Sequence, residues 1–172
     1  MLFTGEFAHT IDAKQRLAIP AEIRTALAAA AGPVDPSSEG ESDAAVVLYA
    51  VLGPNGALWI WPEATFLDMV NLMDQSLVPT DEQMSFDELF FPHASRLQLD
   101  AAGRARLPER LTTQAGLGST VVILGVRDHL ELRDQDAWEE RRAAMLARQG
   151  EIMLQARRAA LQGRQGAGGQ PS

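Results

Sequence analysis

Cysteine is absent from the 172 residues. That excludes a disulfide scaffold, Cys-ligated zinc and thiol chemistry, and it suits a reducing compartment, so a cytoplasmic protein is expected. Only three histidines occur, His9, His93 and His129, spread along the chain, so no metal site is expected. No stretch approaches the roughly 18 uninterrupted apolar residues of a membrane span. The first residues, MLFTGEFAHTIDAKQR, have no basic segment leading into an apolar one, so no secretory signal is read there. Neither a cofactor nor a small-molecule substrate is expected.

Basic residues are missing from the middle of the chain. Between Thr25 and Ser95 there is no Lys or Arg, against 11 acidic residues. The first 24 residues carry three basic and three acidic groups, and the stretch from Arg96 onward carries 12 and nine. The net charge of −8 repels polyanions at long range, but two basic blocks leave room for local anion-binding patches. With 46% hydrophobic and 22% charged residues, the composition is that of an ordinary globular protein.

What is present is an internal repeat. Ile11-Asp12-Ala13-Lys14-Gln15-Arg16-Leu17-Ala18-Ile19-Pro20 recurs 88 residues later as Leu99-Asp100-Ala101-Ala102-Gly103-Arg104-Ala105-Arg106-Leu107-Pro108. Each copy is an apolar residue, Asp, three residues, Arg, a short strand-like run and Pro. Pro20 and Pro108 suit the first position of the helix that follows. A β-branched run comes next, Val46 to Tyr49 and Val121 to Leu124. After a turn comes an alternating strand, Leu58 to Trp61 and Leu130 to Arg133, and then a helix near Phe66 or Trp138.

These aromatics are only 72 apart, so the first copy holds about 16 extra residues, placed in the acidic insertion 32–43. That stretch, rich in Gly, Pro and Ser, reads as a solvated loop. Two such units around a pseudo-twofold axis would share one β core, because each alone buries little apolar surface. Two helices are expected between Glu63 and Phe91, with Thr80 capping the second. Residues 137–161 read as helix with Gly150 as a weak point, and 163–172 as disordered.

Arg16, Arg104, Lys14 and Arg106 could contact phosphates and base edges from compact hairpin tips. Alternatively, Arg16 and Arg104 form structural ion pairs with Asp12 and Asp100. Residue chemistry alone leaves both readings open; the repetition favours DNA, with the two Asp orienting the turns. A paired-Asp catalytic site is disfavoured, because Ala13-Lys14 and Ala101-Ala102 stand where Thr/Ser-Gly is expected. Each Asp also has an Arg four residues on that keeps it ionised. Catalytic residues are therefore none. His93 reads as a hydrogen-bonded histidine, Trp59 and Trp61 as core or subunit-interface residues, and the Arg of the last helix as a solvated face. Trp59, Trp61 and the Phe86 to Phe91 cluster predict more apolar surface than a monomer exposes, hence more than two subunits.

Gly5-Glu6, Thr10 to Arg16, Ile19-Pro20, Ala115-Gly116-Leu117 and Val121 to Val126 resemble the MraZ family, bacterial transcriptional regulators of the division and cell-wall gene cluster. Their halves are SpoVT-AbrB-like modules. The resemblance spans roughly residues 1 to 140. It implies an α+β fold: an AbrB-like swapped-hairpin, double-psi type β-barrel of two tandem repeats with peripheral helices. It implies repeats over 6–65 and 94–137, a helical linker 66–93, a C-terminal helix 138–161 and a tail 162–172. It further implies a ring-like homo-oligomer bound to double-stranded DNA at repeated promoter sites, nucleoid-associated. The expected DNA-binding residues are Lys14, Arg16, Arg24, Arg104 and Arg106, with Asp12 and Asp100 orienting the turns. The alternative is a self-associating structural protein without DNA binding. The sequence departs from the family at Gln15, where Gly is usual, at the acidic linker around Asp81, Glu82, Asp87 and Glu88, and at the insertion. At a positive φ, Gln15 costs about 1 kcal/mol relative to Gly.

Overall fold

The structure, a computed structural model, describes residues 2–30, 46–73 and 79–166. The acidic insertion 32–43 lies outside the described residues. The chain divides into two units, Met1–Gln135 and Asp136–Ser172.

The first unit follows the duplicated pattern. The first copy supplies β1 (Glu6–Thr10), β2 (Arg16–Ala18), α1 (Ala21–Ala30), β3 (Val47–Leu52), β4 (Leu58–Pro62) and α2 (Glu63–Leu72). An extra helix follows, α3 (Asp81–Phe90), then a 3₁₀ turn over Phe91–His93. The second copy gives β5 (Ser95–Gln98), β6 (Arg104–Arg106), α4 (Glu109–Gln114), β7 (Thr120–Val126) and β8 (His129–Asp134). The fold class is α+β.

Local chemistry accounts for the helix starts. Thr80 caps α3 through a reciprocal box with Gln83: the Gln83 amide bonds the Thr80 hydroxyl at 3.3 Å, and the Thr80 amide bonds Gln83 Oε1 at 2.8 Å. Pro20 and Pro108 stand one residue before the first helical position, not at it. Their carbonyls accept the first helical bonds, from Arg24 at 2.9 Å and Leu111 at 2.9 Å.

The sheets exchange strands between the copies. Six strands form one antiparallel sheet in the order β1-β7-β8-β4-β3-β5, while β2 and β6 form a separate ribbon. Thus β1 of the first copy pairs with β7 of the second, and β5 of the second pairs with β3 of the first. Exchanging the copies reproduces the same strand order. The local twofold passes through Leu17 opposite Ala105 in the ribbon and Trp59 opposite Glu131 in the sheet. These pairings leave β1 and β5 as sheet edges, so the expected closed barrel is not seen among the described residues, although strands are exchanged between the copies.

The third strand of each copy aligns differently from the sequence reading. Ile11 N–H bonds the Ser119 carbonyl at 2.8 Å, and Leu99 N–H bonds the Val46 carbonyl at 3.1 Å. Val46 therefore corresponds to Ser119, not Val121. β7 is apolar over Val121 to Leu124, all four buried, so its hydrophobic run gives no phase to anchor an alignment.

The core repeats as well. Leu17, Ile19, Ile23 and Leu27 are buried with their counterparts Ala105, Leu107, Leu111 and Ala115, together with Leu48, Ile60, Ile123 and Leu132. A second cluster holds Val51, Trp61 and Phe66 against Tyr49, Trp59, Phe90 and Phe91. Tyr49 stacks on Phe66 with centroids 4.4 Å apart, and Trp61 is buried within its own chain. Trp61 is therefore a core residue and Trp59 packs half-buried beside it, so neither supplies the exposed apolar surface expected of the pair. The expected Phe86 to Phe91 cluster does contribute, with Phe86 and Leu89 exposed on α3 beside Met84, and Leu67 and Leu72 on α2 add to it.

In the second unit, the helical stretch is α5 (Gln135–Ala147) followed by α6 (Gln149–Gly166). The break falls at Arg148, and Gly150 lies inside the first turn of α6. α6 extends through residues 163–166, part of the stretch expected to be disordered; residues 167–172 lie outside the described residues. Arg148 Nε bonds Glu151 at 3.0 Å on an exposed face, as a solvated reading requires.

Candidate nucleic-acid interface

Each repeated D-x-x-x-R segment folds into the same turn. Asp12 Oδ1 accepts the amides of Lys14 and Arg16, both at 2.9 Å, and Oδ2 accepts Arg16 Nε and Nη2, both at 2.7 Å. Asp100 does the same. Its Oδ1 takes the amides of Ala102 at 2.9 Å and Arg104 at 3.0 Å, and Oδ2 takes Arg104 Nε and Nη2 at 2.9 Å. One carboxylate thus caps the loop backbone and orients the arginine.

The two readings of these arginines are compatible. The ion pairs exist, but they lie at the surface, and two of five guanidinium donors suffice to bind the Asp. The bond from Arg16 holds the Asp12 carboxyl at a pKa of about 2 and raises that of Arg16. The Arg104 amide and guanidinium lower that of Asp100. Each Asp is therefore ionised beside its own Arg, which excludes a dyad sharing one proton.

The tip residues have left-handed backbones, φ +60° at Gln15 and +73° at Gly103. Gln15 accepts that conformation despite its side chain, and the Thr112 hydroxyl lies 3.3 Å from its Oε1. The tips are locked to the opposite strand: Leu107 N–H bonds the Gln15 carbonyl at 2.8 Å, and Ile19 N–H bonds the Gly103 carbonyl at 3.0 Å.

The ribbon distributes the cations unequally. Arg16 faces Arg106 across β2 and β6, whereas Arg104 faces Ala18. Ala13, Lys14, Gln15, Arg16, Arg106 and Glu109 line an open cleft of about 610 Å³ at the first tip. Arg106 thus reinforces the first hairpin, not the second in whose sequence it lies. Arg24, on α1, is set apart from this cleft: its Nε donates to the Ile19 carbonyl at 3.1 Å, and its stem lies against Gly103.

A second polar cluster escaped the sequence reading. Glu131 accepts Trp59 Nε1 at 3.1 Å and Arg133 Nε at 2.9 Å, while Arg133 Nη1 donates to the Asn55 carbonyl at 2.9 Å. His129 Nδ1 lies 2.8 Å from Asp128, and its ring lies 5.2 Å from both Trp59 and Trp61. The only sequence signal is the alternation of Leu130-Glu131-Leu132-Arg133, which does not say that either charge is covered. In fact Arg133 is buried and Glu131 half-buried. His93 is the hydrogen-bonded histidine expected, its Nδ1 2.8 Å from the Leu89 carbonyl.

Comparison with known proteins fits this duplicated framework. Residues 90–159 match the family model described as "MraZ protein, putative antitoxin-like". Proteins named transcriptional regulator MraZ are similar over most of the chain. The one from Symbiobacterium thermophilum is 32% identical over 79% of this chain and 86% of its own. The Roseiflexus castenholzii protein is 31% identical over 84% and 89%. That from Finegoldia magna is 26% identical over 81% and 85%. With a strand-exchanged duplication, two matching Asp–Arg turns and relatives of this identity over most of its length, the chain belongs to the MraZ family.

Proposed function

We propose that this protein is a transcriptional regulator, as its relatives are named, that it acts by sequence-specific DNA binding, and that its two Asp–Arg turns are the contact elements. The observation that carries this reading is the pairing of Arg16 with Arg106 beside Lys14 at one tip, in a chain of net charge −8. Asp12 already pairs with Arg16 and Glu109 lines the same cleft, but three cations converge there, and phosphate can accept the guanidinium donors that Asp12 leaves unused. Arg104 serves the second tip. Asp12 and Asp100 orient the turns and do not touch DNA.

One subunit makes only about two to four phosphate contacts, which is weak binding at physiological salt. A ring of more than two subunits repeats those contacts and gains affinity by multivalency on spaced promoter sites of division and cell-wall genes. The repeats 6–65 and 94–137 act as the DNA-facing modules of an AbrB-like swapped-hairpin, double-psi type barrel, linked by 66–93. A cytoplasmic, nucleoid-associated protein follows from that role.

The test is titration of upstream DNA with the purified protein at several salt concentrations. Binding that weakens steeply with salt supports the reading. Self-association with no DNA binding at low salt rejects it in favour of a structural protein.

A further inference from the structure

Each hairpin tip is covered by a helix residue of the other copy. Thr112 of α4 reaches Gln15, and its repeat counterpart, Arg24 of α1, covers Gly103. The residues at the two ends are complementary in size. A Cβ built on Gly103 would lie 2.5 Å from Arg24 Cδ, 2.7 Å from Nη1 and 2.8 Å from Nε, far inside contact distance. At the other end, the small Thr112 leaves space for the longer Gln15 side chain. Its hydroxyl lies 3.3 Å from Gln15 Oε1 and 3.0 Å from the Glu109 carbonyl, donating to one at a time.

Arg24 also closes a bracket. Its Nε donates to the Ile19 carbonyl at 3.1 Å, and the Ile19 amide donates to the Gly103 carbonyl at 3.0 Å. The guanidinium therefore spends its inner donor on the backbone that carries the second tip. A lysine cannot reproduce this, because its point charge lacks the fixed Nε–H.

We infer that Arg24 is a positioning residue: it holds the second hairpin tip by packing on Gly103 and bonding Ile19, and does not itself contact DNA. This rests on the reading of the tips as DNA-binding elements, and it revises the expectation that Arg24 touches phosphate.

The test compares Arg24→Lys, Arg24→Ala and Arg104→Ala in salt titrations on the upstream DNA, and adds a thermal double-mutant cycle. If Arg24 positions the tip, Arg24→Lys and Arg24→Ala both weaken binding about fivefold, one net hydrogen bond, with the salt slope unchanged. Arg104→Ala lowers the slope by about one. If Arg24 binds phosphate instead, Arg24→Lys binds like wild type and Arg24→Ala lowers the slope by about one, which overturns the inference.

The cycle uses Gly103→Gln, which places the Gln15 side chain where Arg24 lies, and Gly103→Gln with Arg24→Thr, which copies the Gln15–Thr112 pair. Gly103→Gln should melt earlier, in part from backbone strain at its left-handed φ, and Arg24→Thr should also melt earlier; the double should lose less than these two losses summed, because the clash with Arg24 is relieved. Melting no better than the sum of the two single variants also overturns the inference. Because the cycle needs no DNA, a wild type that fails to bind DNA rejects the proposed function and leaves the packing claim to be judged by the cycle.

Discussion

Arg16 and Arg106 are cross-strand neighbours, although they stand 90 residues apart in the chain. The exchange of β2 and β6 between the copies brings them together, so the first hairpin tip carries Lys14, Arg16 and Arg106. The second tip has Arg104 opposite Ala18. The repeats are close to symmetric in backbone and unequal in charge.

That inequality predicts an order of effects. Arg16→Ala and Arg106→Ala should each weaken DNA binding more than Arg104→Ala, and each should lower the salt slope by about one. Combined, Arg16→Ala and Arg106→Ala should be less than additive, because they share one site. Quantitative binding to upstream DNA measures this. Melting curves of all three single variants should stay close to wild type, because these side chains lie at the surface.

Glu131→Gln should destabilise the fold by roughly 1–3 kcal/mol, because it leaves the buried Arg133 guanidinium without its counter-charge. Chemical denaturation measures the change. DNA binding by the folded fraction should be unaltered, since this cluster lies in the sheet, away from the tips.

Stability should depend on pH through the same cluster, with opposite signs on the two sides. The His129 ring, its Nε2 3.8 Å from Glu131 Oε1, and then Arg133 hold the Glu131 pKa at about 2 against an ordinary 4.5. Its contribution is complete above pH 4.5 and is lost as pH falls towards 2. Burial opposes charging of His129, but Glu131 and Asp128 outweigh it and lift its pKa above 6.5. That contribution is complete below pH 6.5 and is lost as pH rises through the raised value. The melting temperature should therefore be highest between pH 4.5 and 6.5, and His129→Gln should flatten the decline on the alkaline side. Thermal melts across pH 3–9 should show it.

Exposed Leu67 and Leu72 on α2, with Met84, Phe86 and Leu89 on α3, should support an assembly of more than two subunits. Light scattering at micromolar protein should give that mass, and Leu89→Glu with Phe86→Glu should reduce it. A monomeric wild type would contradict the expectation.

Much of this was legible because the repeat is written in residues whose chemistry is local. Asp four residues before Arg dictates the turn, Pro20 and Pro108 mark the helix starts, and Thr80 announces the cap. What was not legible depends on contacts between copies. The facing of Arg106 and Arg16 follows from strand exchange, which no window of sequence contains. The seat of Arg24 on Gly103 needs two segments 79 residues apart. The Glu131–Arg133 cluster was hidden because alternation in a strand states the period but not which face is covered.

The central claim is that the Asp–Arg tips bind DNA. It is tested most directly by a salt titration of upstream DNA with wild type and Arg16→Ala, alongside their melting curves. The account predicts steeply salt-dependent wild-type binding, weaker binding and a shallower slope in the variant, and superimposable melts. Equal binding by the two proteins, or a variant that loses binding only because it unfolds, would contradict it.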